Sequence, residues 1–558
     1  MVGVEYEYGI TKYPAAASAQ SGYIDTGIRL PLVDSRGTVI LMVDNTYAVD
    51  LATELARLQQ DLVGDRWAVI RHDVARTAGP PAIKTLIRND YLNDPSQVRA
   101  VLLFGHVAVP YSGNYNADDH SEHTGAWVAD TYYADVDNGW TDTTVKNTSA
   151  ARLANRNIVG DGKFDQSVIP SDVEIEVGRV DFANLPMFLP RTEKDLLRDY
   201  LAKDHNFRHG IITAQRRGLI FDGFGQSGGQ AYAASGWRNF APFFGSAQIT
   251  EVGTDQFFPT AATTDFLWAY VAGGGDANYM DCYGVGATSD FASNNVKTIF
   301  NMVFGSYWID WDATNDFFRA TLGSGNALTV AGAGRPHWFF HHMAMGETIG
   351  YSTRLSQNNA GVYVPAEFAR EVHVSLLGDP TLRMHVVKPP SSLTATTNSG
   401  SVTLNWGASP DTSLQGYYVY RSNFFDGHFT AITNGAPVSG LSFTESVAAG
   451  TYTYMVRAIK LESSPSGTYS NASQGIFVTT TVSNSNSPIR LSQATLQSGL
   501  FSLKVNGQIG MKFVIERSTN LVQWTALLTN TLASTNFNFS DTPASSASQR
   551  FYRTQILP

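Results

Sequence analysis

Between residues 36 and about 389, short apolar runs alternate with helical patterns, and this alternation limits the chain to one class of core. Residues 38–43 (TVILMV) and 98–104 (VRAVLLF) are apolar enough to be buried on both faces of a sheet. Strands that alternate with helices form a mostly parallel sheet covered by those helices. The sequence therefore predicts an α/β core whose functional residues lie beyond the carboxyl ends of strands.

The predicted core consists of two similar α/β subdomains, over residues 1–205 and 206–389. The first contains a turn-rich insertion over residues 110–170, and an insertion of that length is typical of a functional or metal-stabilised loop. The predicted strands cover residues 38–43, 67–70, 98–104, 172–180, 218–221, 277–280, 298–303 and 327–331. The predicted helices cover residues 49–63, 82–91, 193–203, 337–350 and 366–376.

The remainder of the chain has a different pattern. Residues 388–392 (KPPSS) have the composition of a linker, and a Ser/Asn-rich linker follows near residues 483–488. Between and beyond these linkers, apolar and polar residues alternate with a period of two, and turn signals separate the runs. The sequence predicts two all-β sandwich modules, over residues 390–482 and 486–558.

The composition restricts the partners and the compartment. The formal net charge of −10 argues against nucleic acid. Only 16% of the residues are charged, against the usual quarter, which is typical of exported bacterial proteins. The single cysteine excludes an internal disulfide. No apolar run is long enough to predict a membrane span.

These features predict a secreted or cell-surface protein. Residues 1–18 lack the basic and apolar regions of a signal peptide, so we expect that a leader was removed. We expect no organic cofactor.

Several motifs in the core have a shared order and spacing. Residues 130–137 (DTYYADVD) precede residues 174–179 (EIEVGR), and residues 276–279 (DANY) precede residues 377–382 (LGDPTL). In this order they resemble motifs of the gingipain-type cysteine peptidases, a branch of the caspase-like fold. The resemblance implies a caspase/gingipain-like double α/β subdomain and a peptide or protein as the partner.

The two β modules also have resemblances. Trp406 and the alternating strand that contains Tyr452, Tyr454, Val456 and Ala458 resemble a fibronectin type III domain. Residues 513–521 (FVIERSTNL), Trp524 and residues 551–553 (FYR) resemble a C-terminal module of secreted bacterial proteins. The second resemblance implies surface attachment or contact with a cell-surface glycan.

The resemblance to gingipains also implies a catalytic dyad, in which a His follows one strand and a Cys follows the next. The thiolate attacks, and the imidazole lowers the thiol pKa and transfers the proton. Here Cys282 occupies the expected His position and Ser306 the expected Cys position.

Three interpretations follow, of which the first is our main hypothesis. In the first, the core is a pseudo-peptidase scaffold or a surface-binding protein, because Ser306 has lost the family's base. In the second, the chain is a divergent hydrolase with Ser306 or Cys282 as nucleophile. In the third, the alignment is displaced at these positions. For the second, the candidate bases and acids are His337, His341, His342, Asp281 and Asp310.

The insertion is rich in oxygen ligands. Asp135, Asp137 and Asp142 lie in one run, and Asp161 and Asp165 lie in another. Closely spaced carboxylates with a Gly at the turn are typical of calcium sites, so we predict a Ca²⁺ ion here. The alternative is that these side chains satisfy the backbone of the loop through Asx turns.

A dense titratable run (DDHSEH, residues 118–123) follows the strand that ends near His106. We expect His106, Asp119, His120 and His123 to line the functional cleft. Alternatively, His120 and His123 could share a zinc ion with Asp119 or Asp130, since imidazole and carboxylate are zinc ligands.

Overall fold

The computed structural model of the chain describes residues 1–15, 19–137, 139–227, 230–332, 337–363, 369–398, 400–425, 428–433, 435–483, 488–542 and 549–557. Its contacts divide the chain into two compact units. The first comprises Met1–Ala395, Thr403–Phe443 and Tyr452–Thr480, and the second comprises Thr396–Val402, Thr444–Thr451 and Thr481–Pro558. The boundaries of the four predicted domains stay predictions.

A ten-stranded sheet forms the centre of the first unit, and its α/β class and mostly parallel strands are confirmed. One half consists of four parallel strands and the other of five. The strand Ser375–Gly378 joins the halves and runs antiparallel to Thr329–Gly332. The order across the sheet is Ile249–Val252, Gly218–Asp222, Phe266–Ala272, Thr298–Phe304, Thr329–Gly332, Ser375–Gly378, Glu176–Val180, Val98–Phe104, Gly37–Asp44 and Trp67–Val74.

Helices pack against this sheet because their apolar residues repeat at helical spacing. In Ala52–Gly64, for example, Leu55, Leu58 and Leu62 lie on one face and are buried. The α-helices are Ala52–Gly64, Pro80–Asn93, Thr131–Ala134, Glu193–Arg208, Ala234–Phe244, Phe257–Thr263, Thr288–Ser293, Phe317–Gly323 and Ile349–Gln357. The 3₁₀ turns are Ser121–His123, Leu153–Asn155, Pro186–Phe188, Ser246–Gln248 and His341–Met345.

The predicted strand over residues 277–280 is wrong, and this error affects the predicted dyad. The strand that pairs with Thr298–Phe304 is Phe266–Ala272, whose seven residues are all buried. Residues 277–280 form turns, because Asn278 is a turn residue whose side chain accepts a hydrogen bond from the backbone N–H of Met280 at 2.8 Å. The apolar run of residues 266–272 was not among the predicted strands.

Two predicted helices are also wrong. The predicted helix over residues 337–350 is a 3₁₀ turn, His341–Met345, followed by the helix Ile349–Gln357. Gly346 ends the turn with φ of 100°, and Thr348 caps the next helix through its side chain. Residues 364–368 of the other region lie outside the described residues. This other region is the predicted helix over residues 366–376. Its last two residues belong to the buried strand Ser375–Gly378 and not to a helix.

The N-terminal residues belong to a second sheet of the first unit. Glu5–Lys12 and Gln20–Leu30 form an antiparallel pair, and Gln20–Leu30 runs parallel to Gly467–Ala472. The order continues through Gly450–Ser464, Leu414–Ser422 and Thr430–Ala431, with Ile476–Val482 also paired to Gly450–Ser464. Residues 1–30, predicted as part of the first α/β subdomain, therefore extend a β-sheet formed by residues 414–482.

Shorter strands lie in the loops of the first unit. They are Tyr111–Tyr115, Gly125–Val128, Lys146–Asn147, Asn157–Ile158, Gln226–Ser227, Gln230–Ala231, Asp281–Cys282 and Gly286–Ala287. The strands Ser391–Asn398, Ser401–Gly407 and Ser442–Ser446 are in the region predicted as the first β module.

The second unit contains two three-stranded sheets. One has the order Arg490–Gln497, Leu500–Asn506 and Asn536–Asp541, and the other has the order Thr525–Thr531, Lys512–Ser518 and Phe551–Ile556. Alternate residues of these strands form a small apolar core that includes Leu503, Phe513 and Ile515. The predicted all-β character of the C-terminal region is confirmed.

Candidate active site

Ser306 and His120 lie within hydrogen-bond distance of each other. Ser306 is two residues beyond the strand Thr298–Phe304, and its Oγ is 3.0 Å from the Nε2 of His120. His120 comes from the long insertion, directly before the 3₁₀ turn Ser121–His123. The serine at the predicted nucleophile position therefore has an imidazole partner. This partner, His120, was predicted as a cleft residue and not as a base.

Glu122 and Tyr307 surround the other side of the His120 ring. The Oε1 of Glu122 is 3.4 Å from the Nδ1 of His120, an ion-pair distance, and accepts a hydrogen bond of 3.0 Å from the Tyr307 hydroxyl. The rings of His120 and Tyr307 are stacked with centroids 4.9 Å apart. A carboxylate beside Nδ1 favours the tautomer that leaves Nε2 free to accept the Ser306 proton.

Asp118 connects the insertion to the Ser306 turn. Its Oδ2 accepts hydrogen bonds from the Nδ1 of His123 at 2.7 Å and from the backbone N–H of Tyr307 at 2.9 Å. Its Oδ1 accepts from the backbone N–H of His120 at 3.3 Å. One carboxylate thus determines the positions of the residues on both sides of the Ser306–His120 pair.

Asp118 contacts a buried cluster of charged residues that consists of His123, Asp310 and Arg152. The Nε2 of His123 lies 3.5 Å from Asp310, which is also 2.6 Å from Arg152. Burial disfavours the charged imidazole, but Asp118 and Asp310 outweigh it and raise the pKa of His123 to about 9. His123 is therefore a cation at neutral pH, and its role is to hold Asp118 and Asp310 in place.

The backbone at this site is strained. Asp119, Tyr279 and Tyr307 have φ of 62°, 65° and 69°, a region that residues other than Gly rarely adopt. Such residues persist only where the surrounding structure holds them, and they concentrate at functional sites. The backbone of Gly275 packs directly against the backbone of Ser306. A Cβ atom added at Gly275 would lie 1.9 Å from the Ser306 carbonyl oxygen, so a larger residue does not fit there.

Cys282 lies in a different environment. It is 2% exposed, and burial raises the pKa of its thiol well above the usual value. Since the thiolate is the reactive form, this cysteine is a poor nucleophile. The residues that directly follow the strand Phe266–Ala272 are Gly273, Gly274 and Gly275, so the prediction that Cys282 occupies the family's His position depends on a strand that the structure does not contain.

The other candidate acids and bases have partners of their own. His341 lies 2.6 Å from Glu7, and the exposed Asp281 accepts a hydrogen bond of 2.6 Å from the Asn278 amide. His106 is 2.8 Å from Asp181 through its Nδ1, and this hydrogen bond raises the pKa of His106. Of the four residues predicted to line the cleft, His120 is bonded to Ser306, His123 supports the turn, and Asp119 is exposed between them.

The predicted calcium ligands mostly bond to backbone N–H groups. Asp165 accepts from Thr143, Thr144 and Val145, and Asp142 accepts from Gly160 and Gly162. Asp161 accepts from Ile158 and Lys163, and Asp135 accepts from Asp137 and from the Trp140 indole. Among the described residues, these five aspartates do not form one convergent group of three or more. Calcium binding stays a prediction.

The alternative zinc site has ligands that point to other partners. His120 is bonded to Ser306, and His123 to Asp118. Asp130 accepts a hydrogen bond from Arg179, with 2.7 Å between Asp130 Oδ2 and Arg179 Nε.

The sequence did not predict four residues of this site, which are Asp118, Glu122, Tyr307 and Arg152. The high density of charged residues in the run 118–123 is the signal that could have identified Asp118 and Glu122.

The fold is similar to that of the crystal structure of the Arg-specific cysteine proteinase gingipain R. The two share 13% identity over 80% of this chain and 98% of that chain, with a TM-score of 0.48. The complex of the pro- and mature domains of RgpB from Porphyromonas gingivalis matches at 12% identity over 80% of this chain and 100% of that chain, with a TM-score of 0.46.

A shorter similarity involves fibronectin type III structures. An Fn3-like protein from Clostridium thermocellum is 23% identical and covers 17% of this chain and 92% of that chain, with a TM-score of 0.13. No protein-family model and no curated protein matches the sequence.

Proposed function

We propose that this chain is a hydrolase of ester or amide bonds, with Ser306 as the nucleophile and His120 as the general base. The distance of 3.0 Å between Ser306 Oγ and His120 Nε2 carries this proposal. Because of this contact, Ser306 has a base although the family's own base is missing. The contact therefore favours a divergent hydrolase over a pseudo-peptidase.

The proposed reaction has two acyl-transfer steps. Ser306 Oγ attacks the carbonyl carbon while its proton passes to His120 Nε2, and the imidazolium then protonates the leaving amine or alcohol. A water molecule next attacks the acyl-serine and gives its proton to the same nitrogen. The proton finally returns to Ser306 Oγ as the acid product leaves. Each proton that His120 accepts is donated again within the cycle.

Glu122 and Tyr307 have supporting roles in this proposal. Glu122 lies beside Nδ1 and stabilises the imidazolium that forms during each step. Its own backbone N–H and the Tyr307 hydroxyl lower the pKa of Glu122, so it stays a carboxylate at neutral pH. Tyr307 also stacks on His120 and limits rotation of the ring.

The proposed substrate is a peptide or protein, as the sequence resemblance implies, with a cell-surface glycan as a partner of the C-terminal module. We also propose that the protein is secreted or attached to the cell surface, since few of its residues are charged. Among helices of the described ranges, none is both long and apolar enough to cross a membrane. Calcium in the insertion remains part of the proposal.

A fluorophosphonate probe tests the proposed nucleophile. Such probes phosphonylate an activated serine, so the wild type should be labelled at Ser306, and Ser306→Ala should not be labelled. Ser289→Ala is the matched control, because Ser289 is an exposed serine on the helix Thr288–Ser293 and should not affect labelling. A wild type that neither reacts with the probe nor hydrolyses ester and peptide substrates would reject the hydrolase.

That result would favour the pseudo-peptidase or surface-binding protein, the second candidate function. One observation supports this alternative. The side chains of His120 and Glu122 are 40% and 61% exposed, and water weakens their electrostatic interaction. A silent protein would keep the Ser306–His120 hydrogen bond as part of a binding surface, without turnover.

A further inference from the structure

Four donor atoms of the first unit, which belong to Glu7, His341, His342 and Tyr363, lie close together in a second cluster. The Oε1 of Glu7 lies 2.6 Å from His341 Nε2, 3.4 Å from His342 Nε2 and 2.7 Å from the Tyr363 hydroxyl oxygen. His342 Nε2 is also 3.2 Å from the Tyr363 oxygen. Two imidazole nitrogens and a phenol oxygen therefore lie within 3.4 Å of one carboxylate oxygen.

These separations are close to those of a tetrahedral metal site. Zinc binds nitrogen and oxygen ligands at about 2.0–2.1 Å, which places tetrahedral ligand atoms about 3.3 Å apart. The two separations at His342 Nε2, 3.4 and 3.2 Å, already match. The other two, 2.6 and 2.7 Å, are hydrogen bonds and would open by about 0.6 Å when an ion replaces their protons.

Asp25 orients one of the imidazoles toward Glu7. Its Oδ2 lies 3.3 Å from the Nδ1 of His342, and Asp25 is 1% exposed. A carboxylate on one ring nitrogen of a histidine leaves the other nitrogen free for a metal and raises its basicity. The Tyr23 ring stacks on His341 with centroids 5.8 Å apart, which restricts the second imidazole.

We propose that Glu7, His341 and His342 bind one Zn²⁺ ion, with the Tyr363 oxygen in the fourth position. Two imidazoles and a carboxylate are a donor set that zinc favours, whereas Ca²⁺ and Mg²⁺ prefer oxygen ligands alone. The buried carboxylate of Asp25 adds negative charge beside the ion and lies where it would stabilise the metal-bound His342.

The ion would link the α/β core to the N-terminal hairpin, which is the antiparallel pair of strands Glu5–Lys12 and Gln20–Leu30. The strand Glu5–Lys12 is exposed along nearly its whole length, so few apolar contacts hold it there. Glu7 and His341 are 334 residues apart in sequence, and a bond through zinc would connect them directly. Because the ion binds the folded state, it would stabilise the attached hairpin in proportion to the logarithm of its concentration.

A different cluster provides a matched control. Asp61 accepts hydrogen bonds from His205 Nδ1 at 2.7 Å and from His209 Nε2 at 2.9 Å, so it also contains two histidines and a carboxylate. In this cluster the two imidazole nitrogens contact different oxygens of the carboxylate, Oδ2 and Oδ1, and not one shared oxygen. The proposal assigns no ion to Asp61, His205 and His209.

The test is a zinc titration of the full chain after removal of metals with EDTA. Calorimetry should show one tight site in the wild type and in the control double variant His205→Gln/His209→Gln. Glu7→Gln should lose that site; this variant preserves the shape of a side chain that is 36% exposed, so it should fold. Asp25→Asn should weaken binding about 10–100-fold.

Two further measurements distinguish a lost ligand from a misfolded protein. Co²⁺ in place of zinc should give the visible absorption of a tetrahedral site in the wild type and not in Glu7→Gln. Zinc should raise the midpoint of thermal unfolding of the wild type and the control but not of Glu7→Gln. Equal zinc binding by Glu7→Gln and the wild type, no binding by the wild type, or loss of the site in the control double variant would each overturn the proposal.

Discussion

The Nε2 of His120 lies 3.0 Å from the Oγ of Ser306, although 186 residues separate them in sequence. Asp118 maintains this relationship, because it accepts hydrogen bonds from the backbone N–H groups of His120 and Tyr307. The geometry of the pair therefore depends on the contact between the insertion and the turn that follows the strand Thr298–Phe304.

Replacing His120 with Ala should lower the rate of hydrolysis about 10²–10⁴-fold, because a positioned general base contributes that much to catalysis. The measurement is kcat/KM with an ester substrate at pH 7. His72→Ala is the control, since His72 also bonds a carboxylate, Asp90, through its Nε2 at 2.6 Å. A rate for His120→Ala equal to that of the wild type would exclude His120 as the base.

Replacing Asp118 with Asn should reduce both stability and labelling of Ser306. The charged His123 would lose its closest carboxylate partner, and the hydrogen bonds between the insertion and the Ser306 turn would weaken. Loss of a buried, charged hydrogen bond typically costs about 1–3 kcal/mol of unfolding free energy. Urea unfolding measures that loss. Asp119→Asn, a change at the exposed neighbour, should have little effect on the same measurement.

The protonation of His123 should make stability fall at alkaline pH. Its pKa is about 9 in the folded protein, above the ordinary value of about 6.5 in an unfolded chain. The stabilisation is therefore fully present below about pH 6.5 and is lost as the pH rises through about 9. The difference of about 2.5 pKa units corresponds to about 3 kcal/mol.

The check on this pH dependence is a comparison with His123→Gln, which has no imidazole to titrate. The difference in unfolding free energy between the two proteins should shrink between pH 6 and pH 9.5. Using the difference removes the titration of the other groups that both proteins share. A constant difference over that range would show that folding does not shift the pKa of His123.

Cys282 should resist thiol reagents in the folded protein. The side chain is buried, and its thiol pKa is raised, so little of the reactive thiolate forms at neutral pH. Iodoacetamide should modify Cys282 rapidly in urea and slowly without it, as followed by mass spectrometry. Cys282→Ala should keep the labelling of Ser306 by the fluorophosphonate probe. Rapid modification of the folded protein would contradict the burial of this side chain.

Much of the α/β core could be predicted because its strands are continuous apolar runs. Val98–Phe104 was predicted with its observed bounds, and residues 38–43 lie within the strand Gly37–Asp44. The strand Phe266–Ala272 was not predicted, although it has the same apolar character and all seven of its residues are buried. The prediction that Cys282 occupies the His position depended on the strand over residues 277–280, which the structure replaces with turns.

The candidate site was predictable only in part. The density of titratable residues identified His120 and His123, and the position after an apolar strand identified Ser306. Their pairing could not be predicted, since it depends on how a long insertion folds back over the sheet. The same reason explains His341, which was considered as a base and instead contacts Glu7 of the N-terminal hairpin.

The sequence by itself determined the α/β class of the core, the all-β character of the C-terminal region and the serine beyond the strand that ends at Phe304. These features are local, because strand burial and turn formation follow from the side chains of neighbouring residues. Only the tertiary structure decided which histidine meets Ser306, that Cys282 is buried, and that Glu7 meets His341 and His342. Those contacts join residues that are far apart in the chain, and they form only when the insertion and the hairpin pack against the core.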